Sequence, residues 1–452
     1  MVAAVVFAVV VLAAIAVSLT VTPMQNVSVA GQTVLVGAVP SLTPSGPGEL
    51  NLFGQRLDTA VHFAGPVRPR LTLSRITLDS EITDLVASRE ADVSVNALGR
   101  ALAAGWKRYF LFQSLVAGAF ALLLAGAVVG WMRLSRRRAV VVLLLSLLCV
   151  EAVNAGTVMV GARSAPERLR EVDSLAALVG RAPLPAVPPA AAPEVGAVDV
   201  LVLGDSVAAG VGLPVAAEAT AEDRACGRST DAFAANLAAV NRWRVANLAC
   251  GGATITAGVI GSQQLEGVAA PPQLAVARNS AQARAVIVSI GANDVGWSSL
   301  LRLCVVTTSC DNNASTAYFQ QQLAAFSLSY EQLLSRLTAL PGRPQVLINL
   351  YFDPFGGDQD CLADHGLTPA KQESLLALLH SLNEVLRRGA EAAGATPVRP
   401  DFTGHGLCDP QPYVQGLKAA APFHPTAAGQ LAIALADQQA LRSEPSATPT
   451  TR

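Results

Sequence analysis

Three long apolar stretches constrain this chain before any motif does. Residues 2–21, 109–132 and 139–160 are almost free of charge, and a helix needs roughly 20 such residues to cross a hydrocarbon core. Between the second and third runs RLSRRR, which packs Arg133, Arg136, Arg137 and Arg138 into one short turn. Basic turns between spans stay on the cytoplasmic side. That puts the N-terminus inside, and residues 22–108 and everything after Gly161 outside. Lys107 and Arg108 before the second stretch, and Arg163, Arg168 and Arg170 after the third, pull the other way. They lie in long loops of mixed charge, where the bias counts for less than in a tight four-arginine hairpin. The first stretch lacks a basic leader and is read as an uncleaved anchor; the alternative is a signal peptide cut after Ala14-Ile15-Ala16. Glu151 and Asn154 fall inside the third stretch, where polar groups require partners.

The spans account for an unusual composition. Of 452 residues, 52% are hydrophobic and only 14% charged, with the excess concentrated in the first 160. The length implies two or three structural units. A formal net charge of −1 offers no electrostatic footprint for nucleic acid.

Cysteine usage fits the same topology. Cys149 lies in a span, while Cys226, Cys250, Cys304, Cys310, Cys361 and Cys408 all lie beyond residue 198. An even set on the outer side of a membrane reads as three disulfides, whose connectivity spacing alone does not give. No CxxC or Cys/His spacing points to zinc, and no metal or organic cofactor is expected.

Residues 23–108 alternate short apolar runs (TVLVGAV, ELNLF, RLTLSRITL) with Gly/Pro breaks and predict a small β-rich domain without a catalytic constellation. Its end, 95–107, has a helical pattern leading into the second span. The segment 161–197, ending in APLPAVPPAAAPEVGA, has a linker composition, and 442–452 is expected to be a disordered tail. Between them, 198–441 has an α/β rhythm. Buried-type strands are predicted at 198–203, 243–247, 285–290 and 345–351, with a weaker fifth around 396–398. The clearest helix runs from 369 to about 393, where Leu375, Leu376, Leu379, Leu382 and Leu386 follow a helical period and Gly394 stops it. Strands alternating with helices predict a parallel sheet covered on both faces, with reactive groups beyond the carboxyl ends of its strands.

The motifs fall at those ends. The first strand runs into GDSVAAG, presenting Ser206 at the start of a helix, where negative charge is favoured. The second runs into NLACGGAT, with Gly251 and Gly252 in a turn; a backbone N–H there has no Cβ to cover it. The third runs into GAND, carrying Asn293 and Asp294. Each block taken alone is an ordinary turn or cap. Near the C-terminus, PFHPTAAGQ places His424 before Pro425 and an Ala/Leu-rich helix. The other histidines are poorer candidates: His62 in the β region, His380 within the Leu-rich helix, and His365 and His405 in loops.

The ordered set Ser206, Gly252, Asn293 and His424 resembles the four blocks of the SGNH, or GDSL, hydrolases, over 198–441. The resemblance implies a flavodoxin-like three-layer α/β/α fold and hydrolysis of carboxylic esters, of lipids or of acylated glycans. It further implies Ser206 as nucleophile, His424 as base, and the Ser206 N–H, Gly252 N–H and Asn293 amide as oxyanion donors. The cysteine positions are similar to those of secreted actinobacterial members, which implies Cys226–Cys250, Cys304–Cys310 and Cys361–Cys408. In one respect the chain departs from the family. The acid commonly found three residues before the histidine is replaced by Ala421. The Ala421 carbonyl is the candidate to orient the imidazole, with Asp409 or Asp401 folding back as a second possibility. Two other functional classes fit the same residues: an O-acyltransferase to an envelope sugar, which shares the acyl-enzyme intermediate, and a non-catalytic binding module. Trp297, just past GAND, is either a pocket wall or a packing residue.

Overall fold

The computed structural model describes residues 2–29, 32–41, 43–76, 91–164, 178–180, 196–265, 267–280, 283–357 and 360–442. Most of the expected linker and nearly all of the tail lie outside the described residues. The chain separates into two compact units, Met1–Leu52 with Arg56–Pro183, and Phe53–Gln55 with Leu184–Arg452.

In the first unit, the apolar stretches form helices Val2–Val21, Ala91–Trp131 and Arg136–Ser164. Within the last two, Arg100–Trp131 and Arg136–Thr157 are long and apolar enough to cross a membrane, by length and composition. The helical pattern expected at 95–107 is the beginning of the second helix itself. The helices meet through polar contacts: Gln113 donates to the Ser18 hydroxyl at 2.7 Å, and Asn154 to the Ser114 hydroxyl at 2.6 Å. Such bonds satisfy groups that apolar surroundings leave without water. Strands β1 (Gln25–Val29), β2 (Gln32–Pro40), β3 (Ser45–Leu52), β4 (Gln55–Ala64) and β5 (Val67–Ile76) build a sheet of order β1-β2-β5-β3-β4. Its β3–β5 pair is parallel, while β1–β2 and β2–β5 are antiparallel.

The second unit follows the α/β rhythm. Strand β6 (Val200–Gly204) is followed by β7 (Val245–Asn247), the small hairpin β8 (Gln263–Leu265) and β9 (Val268–Ala270), then β10 (Ala285–Ser289), β11 (Gln345–Asn349) and β12 (Thr396–Val398). The second strand is shorter than expected, because Trp243 and Arg244 fall before the pairing starts. The main sheet is parallel throughout, in the order β12-β11-β10-β6-β7. Counted along the chain from the β7 edge, that is second, first, third, fourth, fifth, the flavodoxin-like order.

Alternating strand residues point to opposite faces, and here both faces are buried. Val200 and Val202 join Ile287, Leu347 and Val398 against Phe233 and Leu237 of the helix Phe233–Asn241 and Ile433 of the helix Ala427–Arg442. The long helices Asn313–Thr338 and Pro369–Ala392 complete the α/β arrangement. The latter buries Leu375, Leu379, Leu382 and Leu386 and ends before Gly394 (φ 71°). The six cysteines pair as Cys226–Cys250, Cys304–Cys310 and Cys361–Cys408.

Candidate active site

In a doubly wound sheet, the crevice opens where successive crossovers leave in opposite directions. Here that point lies between β6 and β10, and the candidate residues gather around it. Gly204 ends β6 at φ 147°, and a Cβ on it would overlap the Ser289 carbonyl of neighbouring β10. The chain then turns sharply into the short helix Ser206–Ala209. Asp205 caps that helix: its Oδ1 accepts the Val207 N–H at 3.0 Å. Ser206 is the first helical residue, so no preceding turn supplies a carbonyl for its N–H.

Beyond β7, the Cys226–Cys250 disulfide and Arg228 fix the glycine turn. The Arg228 guanidinium donates to the Ala249 and Leu248 carbonyls and pairs with Glu222 and Asp223 at 2.8 and 2.9 Å. Gly252 is exposed, with φ 77°, a conformation glycine adopts without a Cβ penalty. Beyond β10, Asn293 donates one amide N–H to the Ala253 carbonyl at 3.0 Å, and Asp294 accepts the Ile255 N–H at 3.0 Å. Adjacent side chains of one turn thus hold the segment that follows Gly252. Among the described residues the second N–H of that amide has no protein acceptor.

His424 arrives from an irregular segment after β12. Its Nε2 lies 2.8 Å from Ser206 Oγ, across 218 residues of sequence. Its Nδ1 lies 3.2 Å from the Pro422 carbonyl, which can only accept, so the neutral ring carries its proton on Nδ1 and presents a lone pair to the serine. The expected orienting residue, Ala421, lies next to Pro422 and also acts on the ring. The Ala421 carbonyl accepts the His424 backbone N–H at 3.2 Å, and the ring proton turns to Pro422. Both carbonyls favour the charged imidazole, but burial outweighs them and holds His424 below the usual histidine value. The acidic alternatives serve local turns instead: Asp409 accepts the Gly406 N–H and Asp401 the Thr403 N–H. His405 stacks on Tyr413.

Phe423, just before the histidine, sits at φ 66°, a conformation that costs a non-glycine residue about 1–3 kcal/mol and persists only when its surroundings enforce it. The enforcing residue is Gln415. Its carbonyl accepts from Phe423 N at 3.0 Å, and its N–H donates to the His424 carbonyl at 2.7 Å. Its side-chain amide reaches the Pro425 and Val211 carbonyls, both at 3.0 Å. Gln415 thereby ties the histidine segment to the loop after the Ser206 helix. Gln430 adds a second tie, donating to the Val207 carbonyl at 2.8 Å.

Two buried carboxyls stand behind the site. Burial pushes Asp205 up to about 6 against the opposing hydrogen bonds of Tyr351 and Val207. Burial also pushes Asp294 up to about 7, with the nearby Asp205 adding to the rise. No group of three or more potential metal ligands occurs among the described residues. Trp297 is partly buried and opens the helix Trp297–Val306 directly after the Asn293 turn.

A hydroxyl facing an unprotonated imidazole nitrogen at a switch point has the equipment for acyl transfer. Residues 202–432 match the GDSL-like Lipase/Acylhydrolase family. Among curated relatives, Lipase 1 of Streptomyces coelicolor is 31% identical over 265 residues, covering 56% of this chain and 89% of that protein. A lipase of Streptomyces rimosus is 29% identical over 250 residues, covering 53% and 85%. Among solved structures, phospholipase A1 from Streptomyces albidoflavus NA297 is 23% identical, covering 54% of this chain and 99% of that one, with a TM-score of 0.42. By class, the domain is a carboxylic ester hydrolase. The chain belongs to the GDSL, or SGNH, lipase/acylhydrolase family.

Proposed function

We propose that this protein is a membrane-anchored serine esterase that hydrolyses acyl or acetyl esters of lipids or cell-envelope glycans outside the cytoplasm. The observation carrying this reading is the 2.8 Å approach of His424 Nε2 to Ser206 Oγ. In the first step Oγ attacks the ester carbonyl while its proton passes to Nε2. The ring is then cationic, and the Pro422 and Ala421 carbonyls stabilise it. The oxyanion is met by the Ser206 N–H, the Gly252 N–H and the free N–H of the Asn293 amide. Collapse expels the alcohol, which takes the proton from Nε2, and leaves an ester on Ser206. Water, deprotonated by the same nitrogen, attacks that ester; the acid departs and Ser206 is restored.

The proposed anchor comprises helices Val2–Val21, Ala91–Trp131 and Arg136–Ser164, with Arg133 of the turn and the three arginines that open the last helix on the cytoplasmic side. Three disulfides in the hydrolase domain favour the outer side, since such bonds persist in oxidising compartments. The region 23–108 is proposed as a small outer domain and 161–197 as the tether to the hydrolase domain at 198–441. The lipases among the relatives support acyl esters as the substrate class.

The test is a panel of p-nitrophenyl esters and acetylated glycans against wild type and Ser206→Ala. Turnover is expected to fall by about 10⁴-fold or more in the variant, with an unchanged melting profile. Retained turnover removes the serine mechanism, and product dominated by acyl groups transferred to added sugar makes the protein a transferase instead.

A further inference from the structure

We infer that Tyr351 is a positioning residue that sets the spacing between the nucleophile and the oxyanion donor Asn293, by linking the ends of three neighbouring strands. The inference rests on the serine-esterase reading of the site. Tyr351 lies two residues beyond β11 and is 8% exposed. Its hydroxyl crosses the end of β10, accepting the Ala292 N–H at 2.8 Å, and reaches the end of β6, 2.8 Å from Asp205 Oδ2. The Ala292 bond has only one direction, and with Asp205 ionised so has the other. A backbone N–H can only donate, so the phenol's one proton goes to Asp205.

Each end of this link touches the chemistry. Asp205 immediately precedes Ser206 and caps its helix through Val207 N; Ala292 immediately precedes Asn293. Tyr351 is itself held from behind. Asn383, buried in the helix Pro369–Ala392, accepts the Tyr351 N–H and donates to its carbonyl, both at 2.8 Å. The phenol is therefore a fixed strut rather than a swinging group. Oxyanion donors must meet the developing charge at about 2.7–3.1 Å, and a misplacement near 1 Å costs on the order of 10²-fold in rate. A strut between nucleophile and donor controls that distance without touching substrate.

The experiment is a double-mutant cycle of Tyr351→Phe and Asp205→Asn in the full-length protein. Turnover is expressed per active site, counted by fluorophosphonate labelling. Tyr351→Phe keeps the ring and removes the strut. Asp205→Asn can keep the Val207 cap through its amide oxygen, but it turns an amide N–H toward Tyr351, which reverses that hydrogen bond and takes the carboxylate acceptor from the phenol proton. Each single variant is expected to lower kcat by about 10- to 100-fold with KM within about twofold. The double variant is expected to fall little further, because both changes break one link. Tyr330→Phe, which removes a buried hydroxyl bonded to the Leu386 carbonyl at 2.9 Å, is the control; it is expected to lower the melting temperature and leave kcat unchanged. A Tyr351→Phe enzyme with wild-type kcat, or losses that multiply in the double variant, overturns the inference. Should Tyr351→Phe not fold, Asp205→Asn decides alone, and a kcat within twofold of wild type overturns the strut. Ser206→Ala is run alongside: if it remains active the esterase reading fails, whereas a dead Ser206→Ala with normal strut variants fails only this inference.

Discussion

Among the described residues there are two five-stranded sheets, and the candidate site lies at the end of one of them. In β4 of the first, Leu57, Thr59, Val61 and Phe63 are buried while Arg56, Asp58, Ala60 and His62 face solvent. In the second, β6 and β10 are buried along their whole length. The difference is directional as much as hydrophobic. Antiparallel neighbours send their ends to both edges of a sheet, so no edge collects them. Parallel strands covered by helices on both faces bring every carboxyl end to one rim, where the turns after β6, β7 and β10 place Ser206, Gly252 and Asn293. A polar side chain on the outward row of the first sheet is a solvated surface; one at that rim faces a crevice.

The comparison yields variants that can break it. Asn293→Ala, at the rim, is expected to lower turnover by about 10²–10³-fold, whereas Asp58→Ala and His62→Ala on the solvent row of β4 are expected to leave it unchanged. Steady-state kinetics on matched melting profiles checks both, and equal effects from the two sheets end the distinction.

A smaller effect concerns pH. The base works as neutral imidazole, and burial lowers the His424 value. The rate constant kcat/KM is therefore expected to be flat above neutrality and to fall on the acid side with a midpoint below about 6.5. Asp205, near 6, titrates in the same window, so the profile is repeated in Asp205→Asn. An acid midpoint above 7 in both contradicts the account.

The smallest expected effect lies where the helix Ala427–Arg442 packs against the end of β11. Burial raises Asp437 to about 8, with Asn349 of β11 donating to it at 3.1 Å. A carboxyl raised from an unfolded value of about 3.9 contributes stability that is full below that value and is lost as pH rises through about 8. The melting temperature is thus expected to decline between pH 5 and pH 8.5, and less steeply, by several degrees, in Asp437→Asn. Parallel declines in the two proteins contradict the assignment.

Much of this was legible in the sequence for a physical reason. Buried parallel strands are short apolar runs, the crossover rule places reactive groups after them, and Ser206, Gly252 and Asn293 each directly follow such a run. His424 carried a proline-marked helix start. What stayed hidden are partners chosen by folding rather than by local pattern. Tyr351 reads as one more strand-end aromatic, and its bond to Asp205 spans 146 residues. Gln415 and Gln430 are ordinary polar residues until the chain closes around them. The approach of the imidazole to the Pro422 carbonyl accompanies a left-handed turn at Phe423, which no sequence pattern marks. The parallel β3–β5 pair was equally invisible, because alternation reveals a strand's faces and not its neighbour.

The most direct test of the central claim is peptide mapping after a fluorophosphonate reacts with the full-length protein. The account predicts a single adduct on Ser206, formed at least about 10²-fold more slowly in His424→Ala. An adduct on another serine, or equal labelling without the imidazole, contradicts it.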